Sequence, residues 1–134
     1  MAVNNFSTDL TTVSVNGRTI SDWGETDPPY TSEPIDQKST LRRALGGNAL
    51  RLDRINPGRR VTLQLNPGSD DASFIQGLMN SNTNITLSYT QIGTLENSIG
   101  TEGVIVNDTS NGRGGQTITD SGFIIEFNNW TDLK

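Results

Sequence analysis

The strongest constraint in this chain is a two-residue rhythm of apolar and polar side chains. In "RRVTLQL" (59–65), Val61, Leu63 and Leu65 fall on one side of an extended chain, Thr62 and Gln64 on the other. "NITLSYTQI" (84–92) repeats it, with Ile85, Leu87 and Tyr89 against Thr86, Ser88 and Thr90. "TITDSGFIIEFNNW" (117–130) does so with Phe123, Ile125 and Phe127, and Gly122 reads as a bulge there. A period of two cannot bury one face of a helix, so these segments are strands with one side in a core. "LTTVSV" (10–15) places Val13 and Val15 on one face and runs into Asn16–Gly17, a strong hairpin signal, before Arg18–Ile20. "EGVIVND" (102–108) reads as a further short strand.

One segment changes period. After "NPGSDD" (66–71), Phe74, Ile75, Leu78 and Met79 form the stripe of an amphipathic helix over about residues 70–80. Ser69 or Asp70 is the N-cap, and Asp70 and Asp71 suit the positive helix N-terminus.

Residues 21–36, "SDWGETDPPYTSEPID", hold three prolines and five acids. They read as a long loop with one edge-like piece, because proline cannot donate to a central ladder. "QKSTLRRAL" and "ALRLDRI" then flank Gly46–Gly47–Asn48. This is a second, longer hairpin; Leu41 and Leu45, four apart, leave a short helix over 37–45 as the alternative. The sum is about seven strands and one short flanking α-helix. It predicts a mainly β protein, a two-sheet β-sandwich or barrel, as a single domain over 1–134 with an extended loop or hairpin about 21–58.

Two absences narrow the chemistry. The chain has no Cys and no His, which removes thiolate metal sites, the Ser-His-Asp triad and the commonest general base. No catalytic residue, cofactor or metal site is expected, and the chain is not expected to be an enzyme. Asp70–Asp71 could be an acid/base pair, but neighbours on a helix do not converge. "NGRGGQT" (111–117) lacks phosphate-loop spacing, and "NDTSNG" (107–112) lacks the spacing of a calcium loop. Trp23, Tyr30, Tyr89 and Trp130 are scattered over unlike segments, which suits core or interface anchors better than a stacking platform for sugars or bases. "MAVNNFSTDL" has neither the basic nor the apolar part of a signal peptide, and no apolar run approaches ~20 residues. A cytoplasmic origin without membrane contact is expected.

Charge is unevenly placed. The net charge is −5, yet seven of the ten basic residues lie in 38–60: Lys38, Arg42, Arg43, Arg51, Arg54, Arg59 and Arg60. Such a ribbon could be a solvated face, could meet acids of a sister subunit, or could touch DNA.

The order of elements adds a further expectation. "VSVNGRTISDW", an acidic stretch with "YTSEPID", a hairpin on "LGGNALRLDR", and "GRRVTLQLNPGSDDASFIQGL" leading from strand to helix follow one another over roughly residues 10–130. This pattern resembles the tail tube proteins of bacteriophages, particularly the small ones of contractile tails. The resemblance implies homo-hexameric rings stacked into a tube, one sheet of each copy joining its neighbours around a channel, and a hairpin reaching the next ring. It implies passage of DNA without specific binding, an acidic lumen, and tape-measure, sheath, baseplate and terminator proteins as partners in a virion. The tubes of contractile secretion systems are the near alternative. In that frame the hairpin arginines meet acids of another copy, with Asp22, Glu25, Asp27, Glu33 and Asp36 as the acidic partner. A carbohydrate- or nucleic-acid-binding β-sandwich is the rival from another class.

Overall fold

The computed structural model describes residues 11–91 and 96–133. Strands β1 (Thr11–Val15) and β2 (Arg18–Ile20) form the first hairpin. Its turn residues Asn16 and Gly17 have φ of 50° and 87°, the left-handed geometry that a tight hairpin demands of both central positions. The Asn16 side chain also accepts from the Thr86 amide at 2.8 Å and donates to the Asn84 carbonyl at 3.1 Å. The turn is thereby tied to the start of a distant strand.

The acidic, proline-rich stretch holds one edge strand, β3 (Tyr30–Pro34). Next come β4 (Ser39–Arg43) and β5 (Ala49–Asp53), which pair only with each other, then β6 (Arg59–Leu65). Helix α1 (Asp70–Asn80) follows, with Ser69 as N-cap accepting from the Ala72 amide at 3.1 Å. Long strands β7 (Ile85–Gln91), β8 (Glu96–Asp108) and β9 (Ser121–Leu133) complete the chain. Seven strands make one antiparallel sheet in the order β2-β1-β7-β8-β9-β6-β3.

The two layers of the sandwich belong to this single sheet. Tyr30 on β3 and Tyr89 on β7 stand four strand spacings apart in the ladder, about 19 Å in a flat sheet. Their rings nevertheless stack with centroids 4.9 Å apart and planes 6° from parallel. The sheet therefore folds over. Register shifts at Ile85/Leu87 and Ile105/Asn107 supply bulges where the long strands bend. The chain leaving β2 crosses to the far half and lays Trp23 beside Leu65.

Inside lie Val13, Val15, Ile20, Val61, Leu63, Leu65, Ile85, Leu87, Phe123, Ile125 and Phe127, all buried. These are the residues that the alternation marks. The helix adds Ala72 and Ile75, with Phe74, Leu78 and Met79 half-buried against them.

Two details depart from the sequence reading, and one alternative is decided. Strand β8 begins at Glu96, well before the 102–108 read from the sequence, and β9 spans Ser121–Leu133, starting and ending later than the 117–130 region. The core-facing positions at the start of β8 are Ser98 and Gly100, and Trp130 and Phe127 fill the space over Gly100. Gly122 is no bulge: it pairs in register with Gln64, and a Cβ there would strike the side chains of Thr109 and Gln64. The 37–45 stretch is strand, not helix, and the hairpin reading holds.

The crossover after β2 is held by two carboxylates from distant parts of the chain. Asp71 accepts from the Ser21 and Asp22 amides, both at 2.9 Å, and from Arg18 Nε at 2.8 Å. Asp120 accepts from the Glu25 amide at 3.0 Å, the Thr26 amide at 2.7 Å and the Thr26 hydroxyl at 2.5 Å. Gly24 lies directly against Asp120, leaving no room for a side chain. Burial alone would push both carboxyls up. For Asp71 the two amides and Arg18 outweigh it, and for Asp120 Thr26 and the two amides do; both sit below the ordinary carboxylate range.

Two outcomes follow. Gly103→Ala places a Cβ 2.5 Å from the Phe127 ring and 3.0 Å from the Ile85 carbonyl oxygen. It should destabilise by about 1–3 kcal/mol in urea unfolding, whereas Gly46→Ala, with nothing within 4 Å, should stay within about 0.5 kcal/mol. Because the folded-state pKa values of Asp71 and Asp120 are depressed, their contribution is present above the unfolded value of 3.8 and lost as pH falls through the folded values. Asp71→Asn should lose about 1.5–3 kcal/mol at pH 7 and shrink the loss of stability as pH falls below the unfolded value of 3.8; an unaltered acid limb would contradict the clamp.

Candidate assembly surface

The β4–β5 hairpin stands outside the main sheet. Leu41, Leu50 and Leu52 are 63%, 63% and 57% exposed, and Leu45 and Ile55 are fully exposed. Burying such a side chain is worth about 1.5–3 kcal/mol, and a lone two-stranded ribbon is marginal in water. Five large apolar side chains left on one ribbon make this surface the clearest unpartnered feature among the described residues.

Its register decides how charge and apolar surface are arranged. Directly opposed residues of an antiparallel pair share a face. Arg42 opposes Leu50, and Thr40 opposes Leu52; at the base the Arg54 amide donates to the Lys38 carbonyl at 2.7 Å. One face thus carries Lys38, Thr40, Arg42, Leu50, Leu52 and Arg54, with no acid. The other opposes Leu41 to Arg51, Arg43 to Ala49 and Ser39 to Asp53. There Asp53 accepts from Ser39 Oγ at 2.6 Å and Arg51 Nε at 2.8 Å. Those two hydrogen bonds, Ser39 first, hold its carboxyl below the usual range. The hairpin is therefore not a purely positive ribbon: both faces mix leucine with arginine, and one has its charge partly met from within.

The predicted basic residues separate into two groups. Lys38, Arg42, Arg43 and Arg54 have no carboxylate within 4 Å among the described residues, and Arg51 is bridged to Asp53. Arg59 and Arg60 are not hairpin residues, since both belong to β6 in the main sheet. Arg59 donates to Ser32 Oγ at 3.2 and 3.1 Å through two nitrogens. Arg60 bridges Glu126 at 2.8 Å and Glu33 at 3.2 Å within the same chain. These hydrogen bonds, Glu126 first, raise its already high pKa. Glu33 is thus engaged internally across β3 and β6.

The predicted acids likewise divide. Asp22 accepts from Asn66 Nδ2 at 3.2 Å. Asp36 sits at the foot of the hairpin, its amide donating to the Pro57 carbonyl at 3.1 Å. The carboxylates of Glu25, Asp27 and Asp36 have no cation within 4 Å among the described residues. The clamps at Asp71 and Asp120 hold the backbone of 21–26, so the acids there are presented from a fixed segment.

Arg18, Asp120 and Glu126 organise this surface, and the periodicity did not single them out. Each acts on a partner 53 to 95 residues away, a separation that local pattern does not encode. The aromatic residues fall as core or interface anchors: Trp23, Tyr30, Tyr89 and Trp130 all pack against the core.

No family model matches the chain, and no curated protein matches it. Solved structures do. A chain of the sheath/tube terminator of an extracellular contractile injection system, PVC, in its extended state is 16% identical, with TM-score 0.59 over 92% of this chain and 93% of that one. The tube-terminating cap of the anti-feeding prophage is 15% identical, with TM-score 0.60 over 99% of this chain and 94% of that one. A chain of the PVC sheath-tube complex is 16% identical, with TM-score 0.61 over 96% and 91%. Across nearly their whole length, then, this chain shares its fold with components of contractile injection systems.

Proposed function

We propose that this chain is a structural subunit of a contractile tail, building or terminating its tube by ring formation with further copies of itself. The observation that carries this is the β4–β5 hairpin, an exposed ribbon of five large apolar side chains and four cations without carboxylate partners among the described residues, on a fold shared with chains of a sheath/tube terminator and of a sheath-tube complex. A ribbon of this kind gains most of its stability only when a neighbour covers it. Its arginines then set register against acids such as Glu25, Asp27 and Asp36, because exposed ion pairs contribute only ~0–1 kcal/mol each but steer orientation.

The conduit reading has a second support. The outward faces of β1 and β7 present Thr12, Ser14, Thr86, Ser88 and Thr90, with Ser14 opposite Ser88 and Thr12 opposite Thr90. A wall of hydroxyls without cations offers phosphate no counterion-release gain. In this proposal that face lines the channel, which would be neutral there rather than acidic, and hexameric rings, passage of DNA and a virion location go with it. A carbohydrate-binding module is disfavoured, because the large aromatics pack against the core instead of forming an open platform.

Negative-stain microscopy of the purified chain should show hollow rods for a tube subunit, or discrete rings that bind tube ends for a terminator. A particle that stays monomeric at all concentrations would overturn the proposal. Arg42→Glu with Arg43→Glu should abolish assembly while leaving the unfolding midpoint within about 0.5 kcal/mol, as expected for exposed positions. Normal assembly of this variant would remove the hairpin from the interface.

A further inference from the structure

The inner face of the folded sheet grades from apolar to polar along β7 and β8. Leu87 pairs with Gly100 inside the core; the next inward positions are Tyr89 and Ser98, then Gln91 and Glu96. On the opposite half, Leu63 pairs with Tyr30 and Val61 with Ser32. The stacked pair Tyr30–Tyr89 closes the apolar core, and beyond it opens a cavity of about 420 Å³ lined by Ser32, Arg59, Glu96, Ser98, Asp132 and Leu133 besides the two tyrosines.

The Tyr30 hydroxyl is buried and has no hydrogen-bond partner among the described residues. Stacking on Tyr89 fixes the ring, so the hydroxyl cannot turn to solvent. Burial first, then Tyr89 and Asp132, push its pKa up against the opposing pull of Arg59. It stays a neutral phenol able to donate or accept. Asp132 Oδ1 accepts from Ser98 Oγ at 2.6 Å and Trp130 Nε1 at 2.8 Å, and among the described residues nothing donates to Oδ2. Among the described residues, Glu96 Oε2 receives a long contact of 3.4 Å from the Tyr89 hydroxyl. Arg59, the one cation in the lining, is occupied by Ser32 on the opposite wall. Leu133, 47% exposed, supplies an apolar part of the lining. Free acceptors at the back and an apolar flank suit a long side chain with an apolar stem and a cationic head.

The acid-free face of the hairpin offers such a side chain. Arg42 stands opposite Leu50, with Leu52 on the same face. It lies four residues beyond Lys38, about 13 Å along an extended strand, clear of the body of its own copy. Resting on the self-assembly proposed above, we propose that the Tyr30–Asp132 cavity is the socket for a basic side chain of a second copy, and that Arg42, flanked by Leu50 and Leu52, enters it. The guanidinium meets Asp132 Oδ2, Glu96 and the Tyr30 hydroxyl, and the leucines cover Leu133.

The test compares assembly and monomer stability in the full chain. Tyr30→Phe removes only the orphan hydroxyl, so the isolated subunit should unfold at the same or a higher urea concentration. Its critical concentration for assembly should nevertheless rise by roughly tenfold, as losing a hydrogen bond to a charged group does. Asp132→Arg and Arg42→Asp should each block assembly, and the two together should restore it. If Tyr30→Phe and Asp132→Asn assemble at the normal concentration while Arg42→Glu does not, the socket is wrong and the hairpin interface stands. If Arg42→Glu with Arg43→Glu also assembles normally, the hairpin interface fails as well. A Tyr30→Phe subunit that is less stable as a monomer gives the hydroxyl an internal role and overturns the proposal.

Discussion

Phe127 lies over Gly100 and Gly103 on the neighbouring strand, and this contact lets a single sheet fold over itself. Any side chain at either glycine would enter the space of the Phe127 ring. With the ring seated, β8 and β9 run on as one long bent ribbon, shared between the two halves of the sandwich. That ribbon brings β3 over β7, stacks Tyr30 on Tyr89, and encloses a core built from only a dozen or so apolar side chains. A lean core of this kind has little to spare for loose segments. The long crossover is accordingly clamped by Asp71 and Asp120, whose charge-assisted hydrogen bonds work at the rim where apolar burial ends.

The same economy explains the hairpin. Apolar residues are scarce in this chain, at 31% of the sequence, yet five large ones are left exposed on β4–β5 and its ends. Among the described residues of one copy nothing covers them. Among the described residues, cations with no carboxylate partner lie among those leucines, and several acids elsewhere have no cation partner. A surface that is apolar, cationic and extended is poorly suited to solitary life in water and well suited to a groove with carboxylates in it. Where the sheet needed its own charges, at Arg60 between Glu33 and Glu126, it paired them internally.

Much of the β architecture was legible because alternation is a local signal. Val61, Leu63 and Leu65, or Ile85 and Leu87, declare a buried face within a few residues. The helix was equally clear from Phe74, Ile75, Leu78 and Met79 and from its Ser69 cap. The first half of β8 was not, since its core-facing positions hold Ser98 and Gly100, which look polar or empty until Trp130 and Phe127 are placed above them. Gly122 looked like a bulge because a strand glycine signals either a bulge or a close approach, and only the neighbours Thr109 and Gln64 distinguish the two.

Of the candidate surface, sequence singled out the basic run but merged two environments. Arg42 and Arg43 project on a free ribbon, whereas Arg59 and Arg60, at the far end of the same run, sit in the main sheet. A charge run reports which residues are near in the chain, not which strand face each occupies or which acid it meets. By itself, then, the sequence determined the strands, the helix, the turn at Asn16–Gly17 and the concentration of positive charge in 38–60, all features set by neighbours along the chain. Tertiary structure alone decided that the two layers are one folded sheet, that Asp71 and Asp120 grip the crossover, and that the Tyr30 hydroxyl is buried in the cavity that Asp132 lines, without a partner among the described residues. Those depend on contacts between residues many tens of positions apart, and these form only once the sheet has closed.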